Sequence, residues 1–522
     1  MAEFITPMQA AEMVHDEATL ALGGFGAYGS PEALLAALQE RYENTQSPKQ
    51  LTIVTGTCTG SISDENIGTN RLAAKGLIKT LFAGHVGYAK KISRMSAGNE
   101  IATYILPLGV AMHMFRAVAS GRPGVLSHIG LNTYADPRLE GCRANEKAHS
   151  QHRSVVELIH VGGKELLYYP AIPIDVCFIR GTYSDTDGNI TISHEALTAA
   201  EMEIAAATHN SGGKVIVQVE DIVQKGMIPP RSVRIHNTLV DYVVKSPSPE
   251  FHRQSLIVPE YLPALTGEIR CLTEEIQPLP MGIRKIIARR AAMQLRPGCV
   301  VNLGVGVPSG ISPVANEEGF ADKITMSLES GLTGGVPLEG PSFSAALNPE
   351  ATHSICEMFD FYDGGYLDMT FLGAAEIDRF GNVNVSRFGT SCPGPGGFIN
   401  ISQNTPEVYF LSTFMAGSSN IEIKNEELHI HKDAEGIKFV EDVQQITFSA
   451  EYALKTGQKV SYITERAVFV LTDKGLKLTE IAPGVDLQND ILDKMAFKPT
   501  VSKNLKLMDR HFFEEGRMFM TI

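Results

Sequence analysis

Two kinds of hydrophobic pattern alternate along the chain. Apolar runs, such as residues 215–219 and 408–411, are typical of strands that are buried on both faces of a parallel sheet. Between these runs apolar residues recur at helical spacing, as they do after Thr6, where Thr-Pro-Met-Gln predicts a capping box. Alternation of the two patterns predicts the α/β class, with mostly parallel sheets.

The same order of signatures occurs twice. Helix, strand, Gly-x-Gly loop and helix are predicted at residues 6–35 and again at 280–311. A Gly-Asn turn followed by an alternating strand comes at 188–193 and at 381–386, and a buried strand comes at 215–219 and at 408–411. We therefore predict two tandem, similar open α/β domains, residues 1–275 and 276–522. Two segments depart from the repeat: an exposed hairpin at 421–439 and a carboxy-terminal extension at 495–522, which we expect to pack on the second half.

Composition narrows the class of protein. The 522 residues exceed what one core holds, and no apolar run reaches the roughly 20 residues that cross a bilayer. The amino terminus lacks the pattern of a secretory signal, and the seven scattered cysteines form no C-x-x-C pair, so we expect reduced thiols in a cytoplasmic protein without membrane association. The net charge of −14 argues against nucleic-acid binding but leaves room for a small anionic ligand.

The common cofactor and nucleophile motifs are absent or incomplete. Residues 24–29 match the dinucleotide fingerprint G-x-G-x-x-G, but the next strand ends in Thr55-Gly56 instead of an acidic residue, which excludes NAD binding. No phosphate-binding G-x-x-x-x-G-K-[ST] and no G-x-S-x-G nucleophile elbow occurs. The histidine pairs 149/152 and 429/431 lack further ligands, so we predict surface histidines, no metal site and no tightly bound cofactor.

One carboxylate stands apart from the other acidic residues. Glu329 follows the strand-like run 324–328 and precedes three closely spaced glycines, so it is predicted at the carboxyl end of a strand, where open α/β sheets bind ligands. Gly396-Gly397 is expected to expose two unhindered N–H groups that can stabilise an oxyanion. By pattern alone, an acid in a surface turn and a plain glycine turn remain alternatives.

Taken together, several stretches resemble the family I coenzyme A transferases. The resemblance covers nearly the whole chain and is closest to the propionate/acetate CoA-transferase branch, in which both halves are fused. Its most specific part is Glu-Ser-Gly-x-x-Gly-Gly at 329–335. The other stretches that carry it are 83–85, 136–138, 179–183, 302–308, 359–365, 381–389, 396–401, 462–466 and 480–488.

The resemblance implies a CoA-transferase (NagB-RpiA-like) fold and a reaction. It implies that Glu329 attacks an acyl-CoA thioester and carries CoA as a glutamyl-CoA thioester, with ping-pong kinetics. CoA and acyl-CoA are then substrates, the first domain forms the acyl or carboxylate side, and the second carries the glutamate and most CoA contacts. The candidates for oxyanion-hole and CoA backbone contacts are Gly304, Val305, Gly306, Val307, Gly331, Gly334, Gly335, Gly396 and Gly397.

Departures from the branch concern the acyl side. The chain has Val86 where the branch has Trp, Leu108 where it has Gln, and Asn132 and Tyr366 where it has Gly. Loss of an aromatic wall and of a hydrogen-bonding amide favours an acyl group that is longer or more apolar than acetate or propionate. The candidate acyl-pocket residues are Phe25, Gly26, His85, Val86, Leu108, Gly109 and Tyr366.

Two other functions remain open from sequence. One is an acyl-CoA hydrolase on the same scaffold, in which water intercepts the intermediate; the other is a non-catalytic metabolite-binding protein of this fold. A sugar-phosphate isomerase of related fold is disfavoured by the two fused halves. The expected partners are acyl-CoA and small carboxylic acids, without nucleic acid or membrane, and the resemblance suggests a homodimer or homotetramer.

Overall fold

The computed structural model describes residues 2–272 and 278–520. Each half of the chain is organised around one large β-sheet. The predicted boundary between residues 275 and 276 lies outside the described residues.

The first half contains one eight-stranded sheet. Its helices are α1 (Pro7–Glu12), α2 (Glu32–Thr45), α3 (Lys90–Ala97), α4 (Leu108–Ala119), α5 (Glu146–Ser150) and α6 (Glu201–Asn210). Its strands are β1 (Glu3–Phe4), β2 (Thr19–Leu22), β3 (Leu51–Thr55), β4 (Ile78–Ala83), β5 (Ala102–Ile105), β6 (Gly124–Ser127), β7 (Glu157–Val161), β8 (Lys164–Pro170), β9 (Val176–Arg180), β10 (Tyr183–Asp185), β11 (Lys214–Val219), β12 (Asp221–Val223) and β13 (Tyr242–Lys245). The sheet order is β1-β13-β11-β9-β2-β3-β4-β5, and every pairing is parallel.

The second half contains a ten-stranded sheet. Its helices are α7 (Ile283–Ala292), α8 (Ile311–Glu318), α9 (Ile355–Asp363), α10 (Phe398–Asn404) and α11 (Ala450–Thr456). Its strands are β14 (Val300–Leu303), β15 (Thr325–Leu328), β16 (Leu332–Thr333), β17 (Val336–Pro337), β18 (Ala346–Leu347), β19 (Ala351–Thr352), β20 (Met369–Gly373), β21 (Glu376–Asp378), β22 (Val383–Asn384), β23 (Glu407–Leu411), β24 (Met415–Ala416), β25 (Asn420–Lys424), β26 (Glu427–Lys432), β27 (Gly436–Ile437), β28 (Phe439–Val440), β29 (Lys459–Ile463), β30 (Ala467–Thr472), β31 (Gly475–Ile481) and β32 (Thr500–Leu507). The sheet order is β19-β16-β15-β14-β20-β23-β29-β30-β31-β32.

The centres of the two sheets have the same topology. In the second sheet β15-β14-β20-β23-β29 are parallel, and in the first sheet β3-β2-β9-β11-β13 occupy the corresponding places in the same chain order. All five residues of β9 are buried, as continuous apolar runs predict for a strand covered on both faces. The predicted pair of similar, mostly parallel α/β sheets is therefore confirmed.

Of two local predictions, the capping box of α1 is confirmed and the strand after Gly188-Asn189 is wrong. Thr6 and Gln9 form the predicted capping box of α1, and the helix ends at Glu12. The strand expected after Gly188-Asn189 does not form, because Ile190 is held only by isolated bridges; its counterpart β22 has two residues.

The extension is as predicted, whereas the hairpin predicted at 421–439 ends at Lys432, because β27 and β28 pair with β24 and β21 instead. Strands β25 and β26 form the exposed antiparallel hairpin, and β32 joins the edge of the second sheet. The buried guanidinium of Arg289 donates hydrogen bonds to carbonyl oxygens of four residues of the carboxy-terminal extension: His511, Phe512, Glu514 and Gly516. These bonds hold the extension on the second half.

The two halves are joined by direct hydrogen bonds between loops at their sheet ends. The Val86 N–H donates to the Pro393 carbonyl at 2.8 Å, and the Tyr28 hydroxyl donates to the Ser342 carbonyl at 2.8 Å. These contacts bring the carboxyl ends of the central strands of both sheets to one cleft. Over residues 2–272 and 278–520, no helix has both the length and the apolar character needed to span a membrane.

Candidate active site

A cavity of about 400 Å³ lies in the cleft between the halves. Corresponding strand ends contribute to it from both sheets: Gly26 follows β2 as Gly304 follows β14, and Thr57 follows β3 as Glu329 follows β15. Open α/β sheets bind ligands at this edge, where successive connections leave in opposite directions. The cavity is therefore the expected binding site of both halves at once.

Glu329 directly follows β15 and lines this cavity, with its side chain half-buried. The chain then turns sharply at Gly331, which has a φ of +108° and whose N–H donates to the Leu328 carbonyl at 3.0 Å. A Cβ at Gly331 would lie 2.2 Å from the His353 carbonyl oxygen, so the turn that presents Glu329 requires glycine.

Burial controls the charge of the glutamate. It raises the pKa of Glu329 above the ordinary carboxyl range, while the residue's own backbone N–H and the amide of Asn302 partly offset this rise. Asn302 is itself fixed, because its Nδ2 donates to the Ser327 carbonyl at 3.1 Å and the Ser327 hydroxyl is 2.8 Å from the Tyr362 hydroxyl. A buried polar network thus supports the wall behind the carboxylate.

The raised pKa gives a testable pH dependence. If Glu329 is the nucleophile that the resemblance implies, only its ionised form attacks, so the rate of attack should fall as the pH drops through a pKa above the ordinary value of about 4.3. The rate should be measured between pH 4 and 8 with acyl-CoA alone, by trapping the covalent product, because an acceptor acid would add its own titration. An acid limb at or below pH 4.3 would contradict the effect of burial.

Tyr88 faces the same cavity from the first half. Its pKa is raised to about 12, first by burial and then by the negative charge of Glu329. A Cβ at Gly26 would lie in ordinary van der Waals contact with the Tyr88 ring, at 3.4 Å, so the φ of +59° and not the ring accounts for glycine at that position. The tyrosine is therefore close enough to sense the glutamate across the cleft.

The backbone N–H groups that are candidate oxyanion donors differ in whether they already have a hydrogen-bond acceptor. The Gly396 N–H donates to the Gly84 carbonyl at 3.3 Å and the Gly304 N–H donates to the Phe371 carbonyl at 2.8 Å, so both donors are already used. In the described ranges no acceptor is paired with the Gly397 N–H. A Cβ on Gly397 would lie 3.2 Å from the Glu329 Cγ, which puts the Gly397 backbone beside the glutamate. The expectation of two free donors at Gly396-Gly397 is thus corrected to one.

The structure brings about half of the predicted site residues to the cavity. Those that line it are Phe25, Gly26, His85, Leu108, Gly304, Val305, Glu329, Gly396 and Gly397. Those that do not line it are Val86, Gly109, Gly306, Val307, Gly331, Gly334, Gly335 and Tyr366.

The misplaced candidates have structural explanations. Val86 is fully buried, and Gly109 lies against the amide of Asn400, where a Cβ would approach its Nδ2 to 2.3 Å. Tyr366 is 41% exposed and packs against the Phe361 ring, 5.5 Å between centroids, outside the cavity. The departures at Val86 and Tyr366 therefore do not shape the cavity wall directly, whereas Leu108 does.

Backbone conformation, and not contact with the cavity, accounts for the two glycines Gly334 and Gly335 that follow Glu329. Gly334 and Gly335 have φ values of +72° and +74° and line a separate cavity with Glu350. A Cβ on Gly335 would meet the Leu347 carbonyl oxygen at 2.4 Å. Asn132, the remaining departure, has a φ of +61° and lines another separate cavity.

Sequence reasoning missed most of the apolar wall. The residues it did not name as site candidates are Thr57, Tyr88, Asn302, Phe343, Ser344, Leu372, Gly373, Ala374, Ala375, Val385, Phe388, Gly394, Pro395, Phe398 and Ile401. Thr57 and Gly373 could have been found by applying the strand-end rule to every parallel strand. Phe343 and Ser344 had no local signal, since they come from an irregular loop in which Ser344 has a φ of +90°.

No cluster of three or more His, Cys, Asp or Glu side chains suited to a metal ion occurs among the described residues. His431 of the predicted surface pairs contacts Glu422 at 2.9 Å in the exposed hairpin.

Comparison with known proteins gives a consistent result. A profile of the family described as Coenzyme A transferase matches residues 5–246 and 284–403. The chain is 41% identical over 520 residues to the caffeate CoA-transferase of Acetobacterium woodii, covering 99% of this chain and 98% of that protein. It is 40% identical over 515 residues to the acetate CoA-transferase YdiF of Escherichia coli K12, covering 98% and 96%. The structure of the acyl-CoA transferase YdiF from E. coli O157:H7 in a thioester complex with CoA superposes with a TM-score of 0.92 at 39% identity, covering 100% and 98%.

Proposed function

The chain belongs to the coenzyme A transferase family, and we propose that Glu329 is the residue that carries CoA during the reaction. It is a single-chain enzyme that transfers CoA through a thioester intermediate, with CoA and acyl-CoA as substrates. The observation that carries the proposal for Glu329 is its position at the end of β15: among the described residues that line the cavity, it is the only one with a formally charged side chain.

The chemistry follows from a carboxylate nucleophile. Glu329 attacks the thioester carbonyl, forming an acyl-glutamyl anhydride and expelling the CoA thiolate. The thiolate attacks the glutamyl carbonyl, which releases the first carboxylate and leaves a glutamyl-CoA thioester. An incoming carboxylate then attacks the glutamyl carbonyl and re-forms an anhydride, and the expelled thiolate attacks the new acyl carbonyl. The new acyl-CoA leaves and Glu329 is free again, so no general base is needed.

Each attack on the glutamyl carbonyl creates a tetrahedral oxyanion on the Glu329 side chain. The Gly397 backbone lies beside the Cγ of Glu329 and its N–H has no acceptor among the described residues, so this N–H is our candidate donor to stabilise the oxyanion. The neutral surroundings raise the energy of the free carboxylate and favour its conversion to an uncharged anhydride or thioester.

The lining of the cavity supports an apolar, uncharged acyl group as the preferred substrate. Aromatic and aliphatic side chains dominate it: Phe25, Tyr88, Leu108, Val305, Phe343, Leu372, Val385, Phe388, Phe398 and Ile401. No Lys or Arg is among the described lining residues, and burial lowers the pKa of His85, so the histidine supplies no positive charge near neutral pH. A second carboxylate on the acid would therefore lie in the cavity without a partner.

A series of acceptor acids tests this preference. We expect kcat/KM to rise from acetate to unbranched acids of four to six carbons and to be roughly 10²-fold lower for succinate than for butyrate, because an unpaired charge costs several kcal/mol to desolvate. The acids should be compared with one common acyl-CoA donor. Clear preference for acetate, or use of succinate at the butyrate rate, would contradict the proposed acyl group.

The intermediate itself can be trapped. Incubation with acyl-CoA, followed by borohydride or hydroxylamine and peptide mass analysis, should give a modified peptide containing Glu329 and one equivalent of released acid. Modification of a different residue, or none, would refute the role of Glu329. Release of free CoA without any acceptor acid would instead support the hydrolase alternative.

Three further proposals concern the roles of the two halves, the oligomeric state and the cellular location. We propose that the first half contributes the acyl side and the second half the glutamate and most CoA contacts, as the origins of Leu108 and Gly397 suggest. We also propose a homodimer or homotetramer and a cytoplasmic location. The family resemblance supports the oligomeric state. Seven unpaired cysteines, six of them buried, support the cytoplasmic location.

A further inference from the structure

Helix α4 begins at the cavity without a cap of its own. Its N-cap residue is Pro107, which makes no side-chain hydrogen bond to the helix. The first N–H groups of any helix lack acceptors within the helix and need them from elsewhere. Here the second half supplies them: the Leu108 N–H donates to the Gly396 carbonyl at 3.3 Å, and the Gly109 N–H donates to the Asn400 Oδ1 at 3.0 Å.

Asn400 occupies the centre of this contact. Its side chain is fully buried, and its Nδ2 donates to the Asp363 carboxylate at 2.9 Å. Asparagine is among the best capping residues, but here it caps a helix in the other half of the chain. Because a Cβ on Gly109 would approach the Asn400 Nδ2 to 2.3 Å, the contact also explains the glycine at the second position of α4.

The amide thus connects three helices around the reaction centre. It is on α10, which starts immediately after Gly397 beside Glu329; it caps α4, whose first residue Leu108 lines the cavity; and it binds Asp363 at the end of α9. We propose that Asn400 is a positioning residue that fixes the Leu108 wall of the acyl pocket relative to Glu329 and Gly397, without touching the substrate. This inference rests on the proposed role of Glu329.

The surroundings of Asp363 make its hydrogen bond with Asn400 sensitive to the substitution Asn400→Asp. The pKa of Asp363 is raised to about 6, because burial raises it by more than the hydrogen bond from Asn400 and the charges of His113 and His128 lower it. His113 on α4 lies with its Nδ1 3.9 Å from Asp363 and its Nε2 3.1 Å from Asp360, whose charge raises the pKa of Asp363. The titratable groups that face Asp363 are therefore His113 on α4, Asp360 on α9, His128 in the loop before residue 129 and Tyr169 on β8.

Asn400→Asp tests the proposal through pH. The new carboxylate keeps an acceptor for Gly109 but stands against Asp363 in place of a donor. Two such carboxylates cannot both ionise at low cost, so they share a proton at low pH and repel each other at high pH. We expect kcat of the variant to be about 10²-fold below wild type at pH 8 and within about tenfold at pH 6, since a misplacement of about 1 Å can cost 10²-fold. Asn400→Ala, which has neither donor nor acceptor, should be impaired at both pH values.

A matched control lies at the other end of the same helix. Asn210 donates from its Nδ2 to the Ala119 carbonyl at 2.6 Å, so Asn210→Asp removes a side-chain contact to α4 far from the cavity. Its kcat relative to wild type should be flat with pH. Wild-type rates for Asn400→Asp at pH 8, or a deficit that does not change between pH 6 and 8, would overturn the positioning role. Trapping of the Glu329 thioester in the wild-type enzyme tests the proposed function by itself. If the thioester is trapped, such a result overturns only the positioning role of Asn400.

Discussion

Replacing Glu329 by glutamine is expected to reduce CoA transfer by roughly 10⁴-fold or more, the scale seen when a covalent nucleophile is removed. The amide has nearly the volume of the carboxyl group but is a far weaker nucleophile, so neither the anhydride nor the glutamyl-CoA thioester can form. Steady-state kcat/KM with an acyl-CoA donor and an acceptor acid measures the loss. Glu329→Ala should behave in the same way and excludes slow deamidation of the glutamine as a source of activity.

The same substitution should leave the protein at least as stable. Burial raises the pKa of Glu329, which means that the folded state disfavours the charge and loses stability as the pH rises above the unfolded-state pKa. A neutral glutamine removes that cost, so the Tm at pH 7 should not fall. Glu350→Gln is a matched control in the loop that follows, since Glu350 lines a separate cavity and its substitution should not affect transfer. Transfer by Glu329→Gln within tenfold of wild type would remove Glu329 from the mechanism.

The sheets and the position of Glu329 at a strand end could be predicted because both depend on short stretches of sequence. Continuous apolar runs gave the central parallel strands, and the strand-end rule together with the glycines gave the position of Glu329. The repeat indicated that two such strand ends exist, one per half. It did not indicate that the two ends face each other, because that depends on contacts between residues more than two hundred positions apart, such as Tyr28 and Ser342.

Local sequence patterns could not predict the apolar wall of the cavity or the contact between the halves. Tyr88 comes from the turn before α3, and Phe343 comes from a loop without regular structure, so no periodicity marks either residue. Tyr366 was expected in the pocket because it follows a family motif, but the end of α9 turns it toward solvent. A glycine in sequence signals either a ligand approach or a backbone turn, and only the tertiary structure distinguishes Gly397 from Gly335.

Substituting Gly397 by alanine should lower kcat by about 10²-fold, the scale of losing one oxyanion donor. The backbone there has φ −76° and ψ −3°, which alanine adopts readily, so strain is not the cause. The added Cβ would lie 3.2 Å from the Glu329 Cγ and from the Ile401 Cδ1, and 3.3 Å from the Glu329 Cβ. Because these contacts are too short, the glutamate must move or its approach to the N–H must change.

The fold should survive this change, which makes the kinetic effect specific. Gly282→Ala is the control, since Gly282 has an extended φ of 163° and nothing within 4 Å of an added Cβ. Both variants should unfold within a few degrees of wild type, whereas only Gly397→Ala should lose kcat and accumulate less trapped glutamyl-CoA. If Gly397→Ala raised KM alone and formed the thioester at the wild-type rate, Gly397 would be a CoA contact and the oxyanion on Glu329 would need a different donor.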